Sequence, residues 1–263
     1  MANFTAKDVQ RLRQASGAGM MDAKKALEAN DGDMEAAGQW LRERGLAKVA
    51  NLADRDNAQG TIGLAVGENA AAIVELKAET DFSAKAEDFV ALVNDLADRV
   101  LARGEEAIAE RQADIDSLKI SKRENIELGT VARVVGSGDT LVDTYLHRQE
   151  GRGVIGVIVE ARGVDAETLH EIALHCAFAK PRFLRRDEVP ADAVEKERAA
   201  LLEITKAEGK PEAAWPKIVD GRINAWFAER VLLEQGVHGD KETVQQRIGA
   251  GEIVRFVMAA IGS

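Results

Sequence analysis

"TIGLAVGENAAAIVELKAETDFSAKAEDF" runs from residue 61 to residue 89. Within it the hydrophobic period of the chain changes from 2 to 3.6, and that change sets the fold class. Ile62, Leu64 and Val66 fall on one face of an extended segment, and Val74 and Leu76 on a face of the next. Gly67-Glu68-Asn69 supplies the turn between them, so the stretch begins as a β-hairpin. From Phe82 onward the apolar positions are Phe82, Ala86, Phe89, Val93, Leu96 and Val100, alternately four and three apart. That spacing predicts one amphipathic helix ended by Gly104, with Lys85, Asp88, Asp95 and Asp98 off the stripe.

Upstream, residues 1–50 are helical in pattern throughout. Thr5 is placed as an N-cap with Asp8 three residues on, and Phe4 and Val9 occupy the two positions of a hydrophobic staple. "GAGMM" (17–21) ends this helix and opens a second, "NDGD" (30–33) is a turn, and "MEAAGQWLRER" is a third helix for which Gly45 is the expected terminator. Three helices in this length make a small bundle that buries little surface by itself. A polar linker, "NLADRDNAQG" (51–60), joins it to the hairpin.

Downstream, "NIELGTVARVV" and "DTLVDTYLHR" read as strands joined by "GSG". "GVIGVIVEA" follows, apolar on both faces and therefore a central, covered strand. Helices are expected at 165–180, 191–208 and 216–234, the last two forming a hairpin that turns at Gly209-Lys210-Pro211. The C-terminal "VRFVMAAIGS" is apolar and is expected to return to a sheet. No internal repeat is visible. Strand runs and helix runs are segregated along the chain, which argues for an α+β fold over a doubly wound sheet.

The chain has 263 residues and a net charge of −10. An acidic surface argues against binding the phosphate backbone of a nucleic acid and suits a protein partner with basic patches. No run reaches the roughly 20 apolar residues of a membrane span. The start of the sequence lacks the apolar core of a signal peptide, and Cys176 stands alone, so a reducing, cytoplasmic setting is expected.

Motifs for bond chemistry are sparse. Gly151, Gly153 and Gly156 satisfy G-x-G-x-x-G, but a dinucleotide site needs a strand before the glycines and a helix after them, and here a strand follows. His170 and His175 flank the apolar stripe Leu169/Ile172/Ala173/Cys176 on opposite sides and diverge, so no metal site is expected, and Cys176 reads as a core residue. No catalytic residue, cofactor or metal is assigned. On "LVDTYLHR", Leu141, Asp143, Tyr145 and His147 share a rather polar face.

Phe82 leaves two readings open. Its phase with the helical stripe makes it a core residue behind an N-cap at Thr80 or Asp81. Alternatively Asp81 and Phe82 are presented together on a rigid corner, where an aromatic side chain would anchor a partner.

Several segments carry a family resemblance. "LRQASGAGMMDAKKALEANDGDMEAAGQWLRERG" (12–45), "ETDFSAKAEDF" (79–89), "TYLHR" (144–148), "HEIALHCAFAKPRFL" (170–184) and "EGKPEAAWPKIVDGRINAWFAERVLLEQ" (208–235) together resemble the elongation factor Ts family, in order and at compatible spacing. Members of that family recycle the GTPase elongation factor Tu.

The resemblance implies a three-helix ubiquitin-associated-like module at 1–50, a linker at 51–60, and an α+β core with two related halves at 61–138 and 139–190. It also implies a helical-hairpin insertion at 191–230, a possible homodimer contact, and a C-terminal module at 231–263. By the same likeness Thr80, Asp81, Phe82 and Ser83 match the tetrapeptide that enters the GTPase domain near its Mg²⁺ site. Met20 and Met21, Ile120 and His147 match further contact positions, and residues 165–184 should meet another domain of the partner. The family's fourth tip residue is usually Val. Ser83 stands there, and the expectation is that apolar surface beside the tip is lost and that valine at this position would raise activity. Leu52 stands where the linker usually has a lysine, and the ending "RFVMAAIG" departs from the family's form. The competing functional readings are a protein-binding adaptor without exchange activity and an oxidoreductase resting on Gly151–Gly156.

Overall fold

A computed structural model describes residues 3–50, 52 and 54–262, and of residues 46–50 the backbone only. Of the expected linker, residues 51 and 53 lie outside the described residues, as do residues 1, 2 and 263 at the ends of the expected terminal modules. The N-terminal bundle is α1 (Ala6–Ser16), α2 (Met20–Ala29) and α3 (Met34–Ala50). Thr5 and Asp8 form the capping box at the head of α1, and Phe4 packs on the cluster that contains Val9. Gly17 ends α1 in the left-handed region (φ 66°), a conformation that costs an L side chain energy and glycine very little. The bundle core is small: Val9, Leu12, Ala23, Ala26, Leu27, Ala37 and Leu41. Its alanines let the three helices approach closely.

Gly45 does not end α3. The helix runs on to Ala50, and a Cβ at Gly45 would stand 2.8 Å from the Ile120 side chain. The glycine is there for a close approach between α3 and the core.

Two strand–strand–helix–strand units build that core. The first is β1 (Gln59–Val66), β2 (Ala70–Ala78), α4 (Asp81–Ala84), α5 (Glu87–Arg103), α6 (Gln112–Lys122) and β3 (Glu127–Val135). The second is β4 (Thr140–Gln149), β5 (Arg152–Arg162), α7 (Ala166–Ala179), the hairpin α8 (Ala191–Ala207) and α9 (Trp215–Ala228), then α10 (Val244–Ile248) and β6 (Glu252–Ala260). In the first unit β2 lies between β1 and β3, and in the second β5 lies between β4 and β6, all antiparallel. The C-terminal strand thus completes the second sheet. The backbones of β1 and β5 meet in an antiparallel bridge, Ile62 to Gly153, between the halves.

Alternation along the strands divides the apolar residues among three layers. Ala65, Ala72, Val74 and Leu76 pack with Phe89, Val93 and Leu96 of α5. Val157, Val159 and Ala161 pack with Leu169, Ile172 and Cys176 of α7. Between the sheets, Ile62, Ala71, Ile73 and Val134 meet Ile158 and Ala259. The central strand β5 is covered on both faces, as its composition predicts.

The predicted helix beginning at Phe82 is two helices. Ala86 is extended (φ −64°, ψ 141°) and serves as the N-cap of α5, so α4 and α5 do not share one helical phase. The helix predicted at 216–234 stops at Ala228 because Val231 leaves it to bridge Phe183, where Leu232 N–H donates to the Phe183 carbonyl. The α8–α9 hairpin turns at Gly209 (φ 68°) and is held by a cluster at its base comprising Val189, Ile223, Phe227 and Val231.

Candidate functional site

The corner between β2 and α4 is held from behind by one carboxylate. Glu124, just past α6, accepts hydrogen bonds at Oε1 from Thr80 Oγ1 (2.7 Å) and Ser83 Oγ (2.6 Å), and at Oε2 from the Glu79 and Thr80 backbone N–H groups (3.2 Å each). Glu79 returns the connection by accepting the Asn125 N–H at 2.7 Å and pairing with Arg55 at 3.4 Å. Thr80 is extended and caps α4, its Oγ1 accepting the Ser83 N–H at 3.2 Å. At the far end of α4, Thr61 Oγ1 of β1 donates to the Ala84 carbonyl at 2.5 Å. A four-residue helical turn pinned at both ends in this way is a rigid support.

From that support Phe82 projects with 78% of its surface exposed, the most exposed large apolar side chain among the described residues. Asp81 is exposed beside it. Lys85 donates to Asp81 at 3.0 Å, and this hydrogen bond, reinforced by the charge of the ammonium, holds the Asp81 carboxyl below the usual carboxylate range. Asp81 is therefore an anion at neutral pH. The ammonium of Lys85 lies 5.5 Å from the centre of the Phe82 ring.

Ser83 is not part of the exposed surface. It is 7% exposed and turned inward to Glu124, which removes the ground for expecting an apolar flank at this position. Among the residues singled out from the sequence, Asp81 and Phe82 form the tip, while Thr80 and Ser83 build its base.

His147 is exposed on β4, with Tyr145 Oη at 3.4 Å from its Nδ1 and the two rings stacked at 6.4 Å. The turn that follows His147 reaches the tip, where Glu150 pairs with Lys85 at 3.4 Å. Met20 and Met21 open α2 and are 49% and 63% exposed. Ile120 is half-buried. It lines a cleft of about 570 Å³ between bundle and core, together with Gly17, Trp40, Gly45 and Arg55. The structure therefore sets Ile120 at the seam that carries the Met20–Met21 end of the bundle. Glu124 and Lys85 were missed by sequence reasoning. Glu124 acts on residues more than forty positions away, and no spacing signal marks it.

The sequence motifs weighed for bond chemistry take structural places among the described residues. The glycines at 153 and 156 are strand residues, placed where β5 crosses the first sheet. A Cβ at Gly153 would meet the Ile62 carbonyl oxygen at 2.2 Å, and one at Gly156 would meet Ile73 Cδ1 at 2.7 Å. His170 pairs with Asp143 at 2.8 Å on the surface, whereas His175 is buried with Gln235. Burial pushes the Cys176 thiol up to about 12, far from a reactive thiolate. Among the described residues no group of three or more His, Cys, Asp and Glu is placed to hold a metal ion, and no helix is long and apolar enough to cross a membrane.

The α+β scaffold presents an aromatic and an acid to solvent, and the attached helical bundle exposes further apolar side chains. Comparison with known proteins gives the family. The elongation factor Ts family model matches residues 79–263. Elongation factor Ts of Clavibacter sepedonicus is 43% identical over 264 residues, covering 95% of this chain and 94% of that protein. Elongation factor Ts of Mycobacterium avium (strain 104) is 41% identical over 288 residues, covering 100% and 99%. The chain belongs to the elongation factor Ts family, whose members are translation elongation factors.

Proposed function

We propose that this chain is a guanine-nucleotide exchange factor that binds elongation factor Tu carrying GDP and promotes release of the nucleotide. The observation that carries the proposal is the exposure of Phe82 on a corner fixed by Glu124 and Thr61. An aromatic side chain exposed beside an acid on fixed neighbours has the character of an anchor for a protein partner.

The physical mechanism follows from linkage. In the partner, Mg²⁺ bridges the nucleotide phosphates and neutralises their charge. Insertion of Phe82 displaces the elements that clamp the metal, and the negative charge of Asp81, brought near the phosphates, adds repulsion. The factor thereby lowers nucleotide affinity, and nucleotide lowers affinity for the factor by the same free energy. Couplings of about 1–3 kcal/mol correspond to roughly 5–150-fold changes in affinity. Met20, Met21 and His147 add contact area that holds the complex while the tip acts. No bond is made or broken by this chain.

Release of labelled GDP from purified elongation factor Tu, with and without the protein, tests the proposal. The expected result is acceleration that saturates with concentration. Absence of acceleration at saturation overturns it, and binding without acceleration assigns an adaptor role instead.

A further inference from the structure

We infer that Lys85 is a positioning residue that latches the exposed tip to the turn between β4 and β5, an inference that rests on the reading of Asp81 and Phe82 as the working tip. One ammonium group serves three neighbours. It lies 3.0 Å from Asp81 Oδ2, 3.4 Å from Glu150 Oε2 and 5.5 Å from the centre of the Phe82 ring. Asp81 and Phe82 stand on α4, and Glu150 stands in a turn 65 residues later in the chain. That turn is conformationally defined: Glu150 and Gly151 are both left-handed, at φ 52° and 81°. The latch therefore ties two exposed side chains to a second element of the fold.

The need for such a device follows from the exposure of Phe82. A side chain with few packing neighbours populates several staggered rotamers. Only the fraction already aimed at the partner associates productively, and apparent affinity falls by that fraction. An ammonium over the ring face and an anchored carboxylate beside it favour one arrangement. Arg152, two residues past Glu150, adds positive potential at Asp81. Exposed ion pairs contribute little to folding stability. The effect belongs in association and exchange, not in thermal stability.

The test is a double-mutant cycle, read in GDP release from elongation factor Tu and in thermal denaturation. Lys85→Met and Glu150→Gln are each expected to lower kcat/KM for exchange by about twofold to fivefold, with kcat at saturation and the melting temperature unchanged. The double variant is expected to be no worse than the weaker single one. Lys85→Arg should retain most of the activity. Additive losses overturn the inference, as does a silent Glu150→Gln beside a damaging Lys85→Met, which would mean that Lys85 acts on the partner directly. A melting temperature that falls in step with exchange also overturns it. Phe82→Ala, assayed alongside, separates the two levels. If that variant exchanges normally, the tip reading fails. If it is inactive while the Lys85 and Glu150 variants retain full activity, only the latch fails.

Discussion

Phe82 and Phe89 are seven residues apart, a separation that places two side chains on one face of a continuous helix, yet Phe82 is 78% exposed and Phe89 is fully buried. The extended backbone at Ala86 separates them. It resets the helical phase, so the stripe that begins at Phe89 turns inward to β1 and β2 while Phe82 points away. The two phenylalanines should therefore answer differently to the same substitution. Phe82→Ala is expected to reduce nucleotide exchange by about thirtyfold, as for an interface anchor worth about 2 kcal/mol, with folding stability changed by no more than about 0.5 kcal/mol. Phe89→Ala should cost about 3–5 kcal/mol of stability. Thermal denaturation beside GDP-release kinetics checks both, and a Phe82→Ala protein that unfolds would return Phe82 to the core.

Ser83 gives the second prediction. Its hydroxyl donates to Glu124 at 2.6 Å, and the same carboxylate orders Thr80. Valine there would remove a donor from a half-buried carboxylate and press two methyl groups against it. Ser83→Val is expected to lose about 1–3 kcal/mol of stability and to lower exchange. Chemical denaturation and the exchange assay report the two effects, and a variant with raised exchange and unchanged stability would restore the sequence-based expectation.

The third concerns the seam between the halves. Because a Cβ at Gly153 would stand 2.2 Å from the Ile62 carbonyl oxygen, a backbone atom that cannot rotate aside, Gly153→Ala must separate β1 from β5 locally. A loss of about 1–3 kcal/mol is expected, seen as a lower denaturant midpoint. A wild-type midpoint would show that the two sheets are not locked at this bridge.

The fourth is a pH dependence. His175 is 1% exposed, its Nδ1 accepts the His238 backbone N–H at 3.1 Å, and its Nε2 faces Gln235 Oε1 at 3.0 Å. The accepting Nδ1 assigns the proton to Nε2, so the ring is neutral and donates to Gln235. Burial lowers its pKa below the ordinary 6.5, the nearby His238 acts in the same direction, and Gln235 and Glu171 oppose the shift. The unfolded state therefore binds the proton more readily. The stability that this neutral ring contributes is intact above about pH 6.5 and is lost as the pH falls through the lowered folded-state value. Melting temperatures measured between pH 8 and pH 5 should decline more steeply for the native protein than for His175→Gln, and parallel curves would contradict the assignment.

Much of the architecture is legible in local pattern. The hairpin at Gly67–Asn69, the covered strand β5, the capping box at Thr5 and the turn at Gly209 follow from residue types at fixed offsets. The candidate site is only half legible. Thr80 announces a cap, but the direction of Phe82 depends on one non-helical residue inside a sequence of unbroken helical period. Gly45 shows the same limit: a glycine after a helical run suggests a stop, and here it admits Ile120 from another unit.

By itself the sequence determined the α+β class, the order of the elements and the likeness to a family, because periodicity, caps and turn residues act through neighbours only a few positions away. What the tertiary structure decided was which side chains face water. Glu124 reaches back across the fold to Thr80 and Ser83, the Ile62–Gly153 bridge closes the two halves on each other, and Lys85 spans to Glu150. These relationships join residues distant in the chain through hydrogen bonds, charge and excluded volume, which have no local period. The tip is made by them: an acid and an aromatic held outward because the residues on either side are held in.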